Sequence, residues 1–85
     1  MIVRFLPSFK RAYRKLSEGQ RHDVDGALQI FVRAPFDPCL HNHQLKGGKK
    51  GVYAITAGYD LRILFAKSGN AITLLLTVGT HNEVY

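Results

Sequence analysis

The second half of the chain contains three consecutive segments rich in apolar residues, separated by short turns, and the middle segment places apolar and polar residues on opposite faces at a period of two. Residues 51–57 and 59–67 form the first two segments, with Gly58 between them, and Ser68-Gly69-Asn70 has the composition of a hairpin turn before residues 71–78. A period of two is typical of strands that bury one face. Three such strands with connections this short predict an antiparallel meander. The inner face of the last strand is expected to carry Ile72, Leu74, Leu76 and Val78.

The first part of the chain has a different periodicity. Residues 2–6 predict a short strand that ends at Pro7. Residues 9–16 carry apolar side chains at helical spacing, with basic residues on the other side, so they predict an amphipathic helix. Ser17 and Gln20 have the spacing of a capping box, which predicts the start of a second helix. That helix is expected to end near Arg33, because Pro35 disfavours helical geometry at the residue before it.

These elements give the order β-α-α-β-β-β, which indicates an α+β fold. We expect a single domain over residues 1–85, with a twisted antiparallel sheet and two N-terminal helices packed on one of its faces. The opposite face should be open. Alternation along the second strand of the meander would place Asp60 and Arg62 on that open face, opposite Leu61, Ile63 and Phe65.

The charge of the chain favours a polyanionic partner. Twelve Lys and Arg against six Asp and Glu give a formal charge of +6 over 85 residues, so much of the surface should carry a positive potential. Cys39 is the single cysteine, which leaves no intramolecular disulfide and favours a reducing cytoplasm. No apolar stretch approaches the ~20 residues that a membrane helix needs. The sequence therefore predicts a soluble cytoplasmic protein with no membrane partner.

Three groups of residues could carry chemistry. His43 precedes a basic run, Asp60 and Arg62 lie on one strand, and His81 and Tyr85 follow the last strand; the basic run contains Lys46, Lys49 and Lys50. An imidazole titrates near neutral pH, a guanidinium fits a phosphate, and a phenol ring can stack on a base. A solvated basic loop and a surface ion pair between Asp60 and Arg62 are the alternatives. We predict no metal site, since a bare His pair is a weak ligand set.

Three segments resemble the signature segments of one known family: residues 40–47 (LHNHQLKG), 58–65 (GYDLRILF) and 78–85 (VGTHNEVY). They are similar to RelE/ParE-superfamily toxins of bacterial type II toxin–antitoxin modules, nearest to the YafQ-like and RelE/StbE-like branch. The similarity covers nearly the whole chain, including the order of elements and the basic first helix. The resemblance implies a ribosome-dependent endoribonuclease that cleaves mRNA and is neutralised by a cognate antitoxin, through which it contacts operator DNA indirectly.

The resemblance also implies roles for individual residues. His43 and Asp60 match a His and an active-site Asp of the YafQ-like toxins, and His81 matches the His thought to protonate the leaving group. Arg62 matches an arginine of RelE, and Tyr85 matches a terminal aromatic residue or a catalytic Tyr. The chain departs from the pattern at one position: a further His of the YafQ-like site aligns with Thr56 here.

A mechanism follows from the chemistry of RNA, which supplies its own nucleophile, the 2′-hydroxyl group. Cleavage then needs a base, an acid for the departing 5′-oxygen and cations for the developing charge, with no metal or other cofactor. We expect His81 to be the acid, and Asp60 or His43 the base or its orienter. The phosphate clamp is expected to consist of Arg62, Lys46, Lys49 and Lys50, and Tyr85 is expected to stack on a base.

Two other functions remain open from the sequence. A ParE-like protein would inhibit DNA gyrase without cutting RNA, and a catalytically inactive basic module would bind without reaction. The set of His and Asp residues favours the enzyme, because a protein that only binds has no need of paired acid and base groups.

Overall fold

The computed structural model describes residues 1–46 and 51–85. Its strands are β1 (Ile2–Phe5), β2 (His43–Gln44), β3 (Val52–Ala57), β4 (Leu61–Ser68) and β5 (Ile72–Thr80). Its helices are α1 (Pro7–Arg14), α2 (Glu18–Arg33) and α3 (His81–Val84), and Pro38–Leu40 form one 3₁₀ turn. Lys49 and Lys50, which the sequence analysis places in a phosphate-binding loop, lie outside the described residues.

The five strands form one sheet in the order β1-β5-β4-β3-β2. Each neighbouring pair from β5 to β2 is antiparallel, which confirms the predicted meander. Strand β1 instead pairs with β5 in parallel, from Ile2 opposite Ile72 to Phe5 opposite Leu75. The two strands lie at opposite ends of the sequence, so no local pattern indicates their relative direction.

The second helix begins and ends as its sequence predicts. The side chain of Ser17 accepts a hydrogen bond from the backbone amide of Gln20 at 3.2 Å, and the Ser17 amide donates to Gln20 Oε1 at 2.9 Å. These two bonds satisfy amides that the helix itself leaves without partners. The helix ends at Arg33, two residues before Pro35. Within the described residues, no helix is both long and apolar enough to cross a membrane.

The two long helices pack on one face of the sheet, as predicted. Phe31 of α2 lies against Phe65 of β4, with 4.9 Å between the ring centroids, and both rings are almost completely buried. The rest of this core comes from both layers: Phe9, Val24, Ala27, Leu40, Ile55, Ala57, Leu61, Ile63, Leu75 and Val78. Burial of this apolar surface is the main favourable contribution to folding.

A bulge in β5 overturns the predicted inner face of that strand. Leu64 pairs with Thr77 while Phe65 pairs with Leu75, so Leu76 is an extra residue between the two pairs. A bulge shifts the alternation by one residue. Leu75 and Val78 therefore both face the core, whereas the prediction for Ile72, Leu74 and Leu76 is wrong: they are only partly buried.

The sheet face away from the two long helices is not open over its whole area. Ala54, Leu64 and Val84 form a second buried cluster there, and Leu45, Val52 and Leu76 pack around it. Val84 belongs to α3, so this short helix covers part of the face that the sequence analysis leaves free. The uncovered remainder, which carries His43, Thr56 and Arg62, is called the second face below.

Two glycines with positive φ offer a matched test of the turns. Gly58 and Gly69 have φ of +60° and +66°, but a Cβ on Gly58 would lie 2.5 Å from Oδ2 of Asp23, whereas nothing lies within 4 Å at Gly69. We expect Gly69→Ala to lower the free energy of unfolding by ~1–2 kcal/mol through backbone strain alone. Gly58→Ala should cost more, by about 1 kcal/mol, because the methyl group meets Asp23. Urea unfolding measures both losses. Equal losses, or no partial recovery in Gly58→Ala/Asp23→Ala, would contradict this account.

Candidate active site

The short helix α3 is fixed to the sheet at three points. The backbone amide of Thr80, the last residue of β5, donates to Oε1 of Glu83 in the helix at 2.7 Å. Val84 of the helix is 8% exposed and lies within the second buried cluster. The helix also lies close to Gly79: a Cβ atom added there would be only 3.1 Å from Val84 Cγ1 and from Glu83 Oε1. Helix α3 therefore approaches the strand closely because position 79 has no side chain.

Sequence analysis missed this helix, although its signal is present. Thr80 and Glu83 have the same three-residue spacing as Ser17 and Gln20, which is the spacing of a capping box. The backbone amide of Thr80 also lowers the pKa of the Glu83 carboxyl, because the hydrogen bond favours its ionised form. The carboxylate is thereby held in the form that accepts most strongly.

Three side chains from two distant parts of the sequence meet on the side of the second face: His81 and Tyr85 from the last five residues, and His43 from β2. The ring of Tyr85 lies edge-on to that of His81, with 4.3 Å between centroids and 79° between planes. Its hydroxyl lies 3.5 Å from Nε2 of His43, at the outer limit of a hydrogen bond. Tyr85 thus links the two imidazoles. It is 40% exposed, so one side of the group remains accessible to solvent.

The backbone determines which nitrogen of His43 carries a proton. Its Nδ1 lies 2.7 Å from the carbonyl oxygen of His41. A carbonyl oxygen can only accept, so Nδ1 carries the hydrogen, and Nε2 of the neutral ring is the acceptor that faces Tyr85. His41 has left-handed backbone angles (φ 49°, ψ 45°), an uncommon conformation for a residue other than glycine. Sequence analysis could not find this contact, since it involves the backbone of His41.

Arg62 lies on the second face, as the alternation predicts. Its neighbours across the sheet are Thr56 on β3 and Gly79 on β5, so it stands beside the point where α3 begins. The side chain is half-buried and donates from one guanidinium nitrogen to the Leu61 carbonyl oxygen at 3.0 Å. Four further N–H groups of the guanidinium make no hydrogen bond to the described residues and can contact an anion. Lys46 follows β2 and is exposed.

Asp60 does not lie where the sequence analysis expects it. The prediction that β4 begins at Tyr59 is wrong, because residues 58–60 form the turn that Gly58 starts at positive φ. Asp60 is exposed in this turn, outside the alternation that places Arg62. Within the described part of the chain, no hydrogen bond or ion pair joins Asp60 to Arg62 or to either His of the group.

The second face therefore combines proton-transfer groups with a cation. Two imidazoles joined by a phenol can accept and donate protons, and the guanidinium of Arg62 on the same side of the sheet can contact an anion. Among residues 1–46 and 51–85, no group of three or more His, Cys, Asp or Glu side chains is arranged to hold a metal ion.

Solved structures of toxins share this fold at low sequence identity. YafQ from E. coli matches with a TM-score of 0.77 at 12% identity, covering 98% of this chain and 96% of that one. A YoeB/ParE toxin from Agrobacterium tumefaciens matches at 0.75 and 16% identity, covering 95% and 99%. The RelBE2 toxin–antitoxin complex from Mycobacterium tuberculosis matches at 0.66 and 19%, covering 94% and 96%. No family model and no curated protein matches the chain in sequence.

The hydrogen bond of Glu83 predicts a dependence of α3 on pH. Because the folded carboxyl has a pKa below its ordinary value of 4.5, its ionisation stabilises the docked helix above that value, and this stabilisation is lost as the pH falls through the lowered pKa. Nuclear Overhauser contacts between the rings of His81 and Tyr85 should therefore weaken in acid. Glu83→Ala should weaken them at neutral pH as well.

Glu83→Gln is the matched control for the charge. Its amide oxygen can still accept from Thr80, so the ring contacts should persist at neutral pH and should no longer depend on acid titration. Ring contacts that survive unchanged in Glu83→Ala would show that Val84 alone holds α3.

Proposed function

Because the chain has the fold of RelE/ParE-superfamily toxins, we propose that it is the toxin of a type II toxin–antitoxin module. The structural likeness supports a toxin, and the RelBE2 structure is itself a complex of a toxin with its antitoxin. The formal charge of +6 supports a polyanionic target. The proposed activity is endonucleolytic cleavage of mRNA on the ribosome.

The observation that carries this proposal is the joined group of His43, Tyr85 and His81 beside Arg62. RNA cleavage by the 2′-hydroxyl group requires one group that removes a proton and one that supplies a proton to the 5′-oxygen. Two imidazoles on one face, with a guanidinium on the same face, provide both proton transfers and charge stabilisation. The 2′-hydroxyl is the nucleophile, so the reaction as proposed uses no metal.

The tautomer of His43 favours it over Asp60 as the general base. With its hydrogen on Nδ1, the neutral ring leaves Nε2 unprotonated, which is the form that a base requires; this nitrogen lies 3.5 Å from the Tyr85 hydroxyl, which a substrate would have to displace. Asp60 is exposed in the turn before β4, and within the described residues no hydrogen bond or ion pair joins it to the group. We assign proton removal to His43, proton donation to His81 and phosphate contact to Arg62 and Lys46. Tyr85 holds the two imidazoles and offers its exposed side to a base.

His81→Ala should lower the rate of mRNA cleavage by ~10²- to 10⁴-fold, as expected when one acid–base group is lost. His43→Ala should have an effect in the same range, whereas Asp60→Ala should have a smaller one. The measurement is the mapping of new mRNA 5′ ends on purified ribosomes. His22→Ala is the matched control, because His22 is exposed on α2 and so belongs to the helices on the opposite face.

Cleavage by His81→Ala at the original rate would refute the assignment. Altered DNA supercoiling with intact RNA would replace the proposal with ParE-like inhibition of gyrase. Binding to RNA without any cutting by the unmodified protein would identify a catalytically inactive module.

An apolar groove on the helical side fits an antitoxin segment. The groove has a volume of about 640 Å³ between β1, α1 and α2, and its apolar lining includes Phe5, Leu28 and Val32. Phe5 and Val32 are 46% and 48% exposed, and together they present adjoining apolar surface to solvent in the groove. Lys10 and Arg14 also line it. We propose that an amphipathic antitoxin segment with acidic residues beside its apolar stripe occupies this groove.

Val32→Asp should weaken antitoxin binding by at least about 10-fold, because it replaces an apolar contact with a carboxylate that loses its hydration on binding. Isothermal titration with the cognate antitoxin measures the change, while ribosome-dependent cleavage should persist. His22→Asp adds the same charge on α2 outside the groove and serves as the control. Equal affinity of both variants for the antitoxin would place its binding elsewhere.

A further inference from the structure

An exposed phenylalanine stands beside a lysine at the end of the sheet away from α3. Phe36 is 73% exposed in the loop after α2, and Nζ of Lys67 lies 5.9 Å from its ring centroid. The same Nζ lies 5.5 Å from the ring centroid of Tyr53. Both distances are within the ~6 Å over which an ammonium group is attracted to an aromatic face. The ammonium of Lys67 is therefore held near two rings.

A column of aromatic rings anchors this lysine to the core. Tyr53 stacks on Phe65 with 5.4 Å between centroids and 19° between planes, and Phe65 contacts the buried ring of Phe31. The column thus runs from the centre of the core to the surface. Because its inner rings are close-packed, Lys67 is placed against a rigid support.

Two hydrogen bonds hold the loop that carries Phe36, one at the residue before it and one at the residue after it. The side-chain amide of Asn42 donates to the Pro35 carbonyl oxygen at 2.9 Å, and the Asp37 carboxylate accepts from the Cys39 amide at 3.0 Å. The second bond lowers the pKa of Asp37, so the carboxylate remains ionised. The exposure of Phe36 therefore belongs to a defined loop conformation.

We propose that Phe36 and Lys67 form a binding site for one unpaired nucleotide of RNA, separate from the candidate active site. An aromatic ring with a free face is a sequence-tolerant platform for a base, and a neighbouring ammonium can contact its phosphate. The positive charge of the chain complements such a ligand. The inference rests on the proposed function, because it assumes that the target is RNA.

The position of this site determines what it can contribute. Lys67 lies five residues after Arg62 on β4, a distance of about 17 Å along the strand. Its side chain is on the face of Phe65, whereas Arg62 is on the second face. A nucleotide bound there cannot be the one that is cut. The site should therefore contribute to affinity for RNA and leave the chemical step unchanged.

A protein partner would use the same ring differently. Contact with an apolar protein surface depends on buried area, which a leucine largely preserves, whereas base stacking and attraction of the ammonium need an aromatic face. Phe36→Leu therefore separates the two, and Phe36→Trp keeps the platform. The presence of the lysine at the ring favours RNA.

Binding is measured with the full chain carrying His81→Ala, in which cleavage is expected to be ~10²- to 10⁴-fold slower. The probes are a short single-stranded RNA oligomer, representing the messenger, and purified ribosomes. We expect Phe36→Ala and Phe36→Leu to weaken binding on the order of 10-fold, and Phe36→Trp to retain it. Lys67→Ala should also reduce the dependence of binding on salt. Ile2→Ala, which removes another exposed apolar side chain, should have no effect.

Binding of the variants to the oligomer and to ribosomes identifies the RNA that the site contacts. Weaker binding to the oligomer assigns the site to the messenger, and weaker binding to ribosomes alone assigns it to ribosomal RNA; both support the proposal. Unchanged binding of Phe36→Ala, or full affinity in Phe36→Leu, overturns it while RNA cleavage by the unmodified chain stands. Absence of both RNA binding and RNA cleavage in the unmodified chain would refute the proposed function itself.

Discussion

The register between β4 and β5 determines where the groups of the candidate site lie. Ile63 pairs with Val78 in the core, and the next pair, Arg62 with Gly79, faces the other way. A slip of one residue would move Arg62 into the core and expose Ile63, which the hydrophobic effect opposes strongly. The same burial that holds the sheet together therefore places a guanidinium beside the start of α3. Without a side chain at Gly79, the helix can then approach the strand.

The sequence predicts those parts of this fold that depend on local patterns. Apolar segments between turn signals predict β3, β4 and β5, and apolar residues at helical spacing predict α1 and α2. The Ser17–Gln20 capping box predicts the start of α2. Features that depend on distant pairing have no such pattern: the parallel contact of β1 with β5 and the bulge at Leu76 both follow from how strands fit the whole sheet. The turn before β4 excluded Asp60 from the strand for a local reason, the positive φ of Gly58.

The sequence predicts which residue types the candidate site contains better than it predicts how they are arranged. His43, Arg62, His81 and Tyr85 were all named from the sequence, and the structure brings three of them into contact beside the fourth. The sequence does not indicate that the carbonyl oxygen of His41 accepts a hydrogen bond from His43 Nδ1, because every residue has a backbone carbonyl group and its direction depends on the fold. The proposed choice of His43 over Asp60 as the base depends on that contact and on the position of Asp60 in the turn before β4.

The bulge at Leu76 has a consequence for how the gene can change. The side chains of β5 after Leu76 face the sides they do because the bulge adds one residue. Deletion of one codon there would reverse the alternation of the rest of the strand and displace Gly79 and His81 from their partners. Substitutions in the same stretch alter one contact each. The turn at residues 69–71 lies between the paired residues Ser68 and Ile72 and has open space around Gly69, so it can absorb a length change. Length variation is therefore expected to accumulate before β5 and to be absent within it.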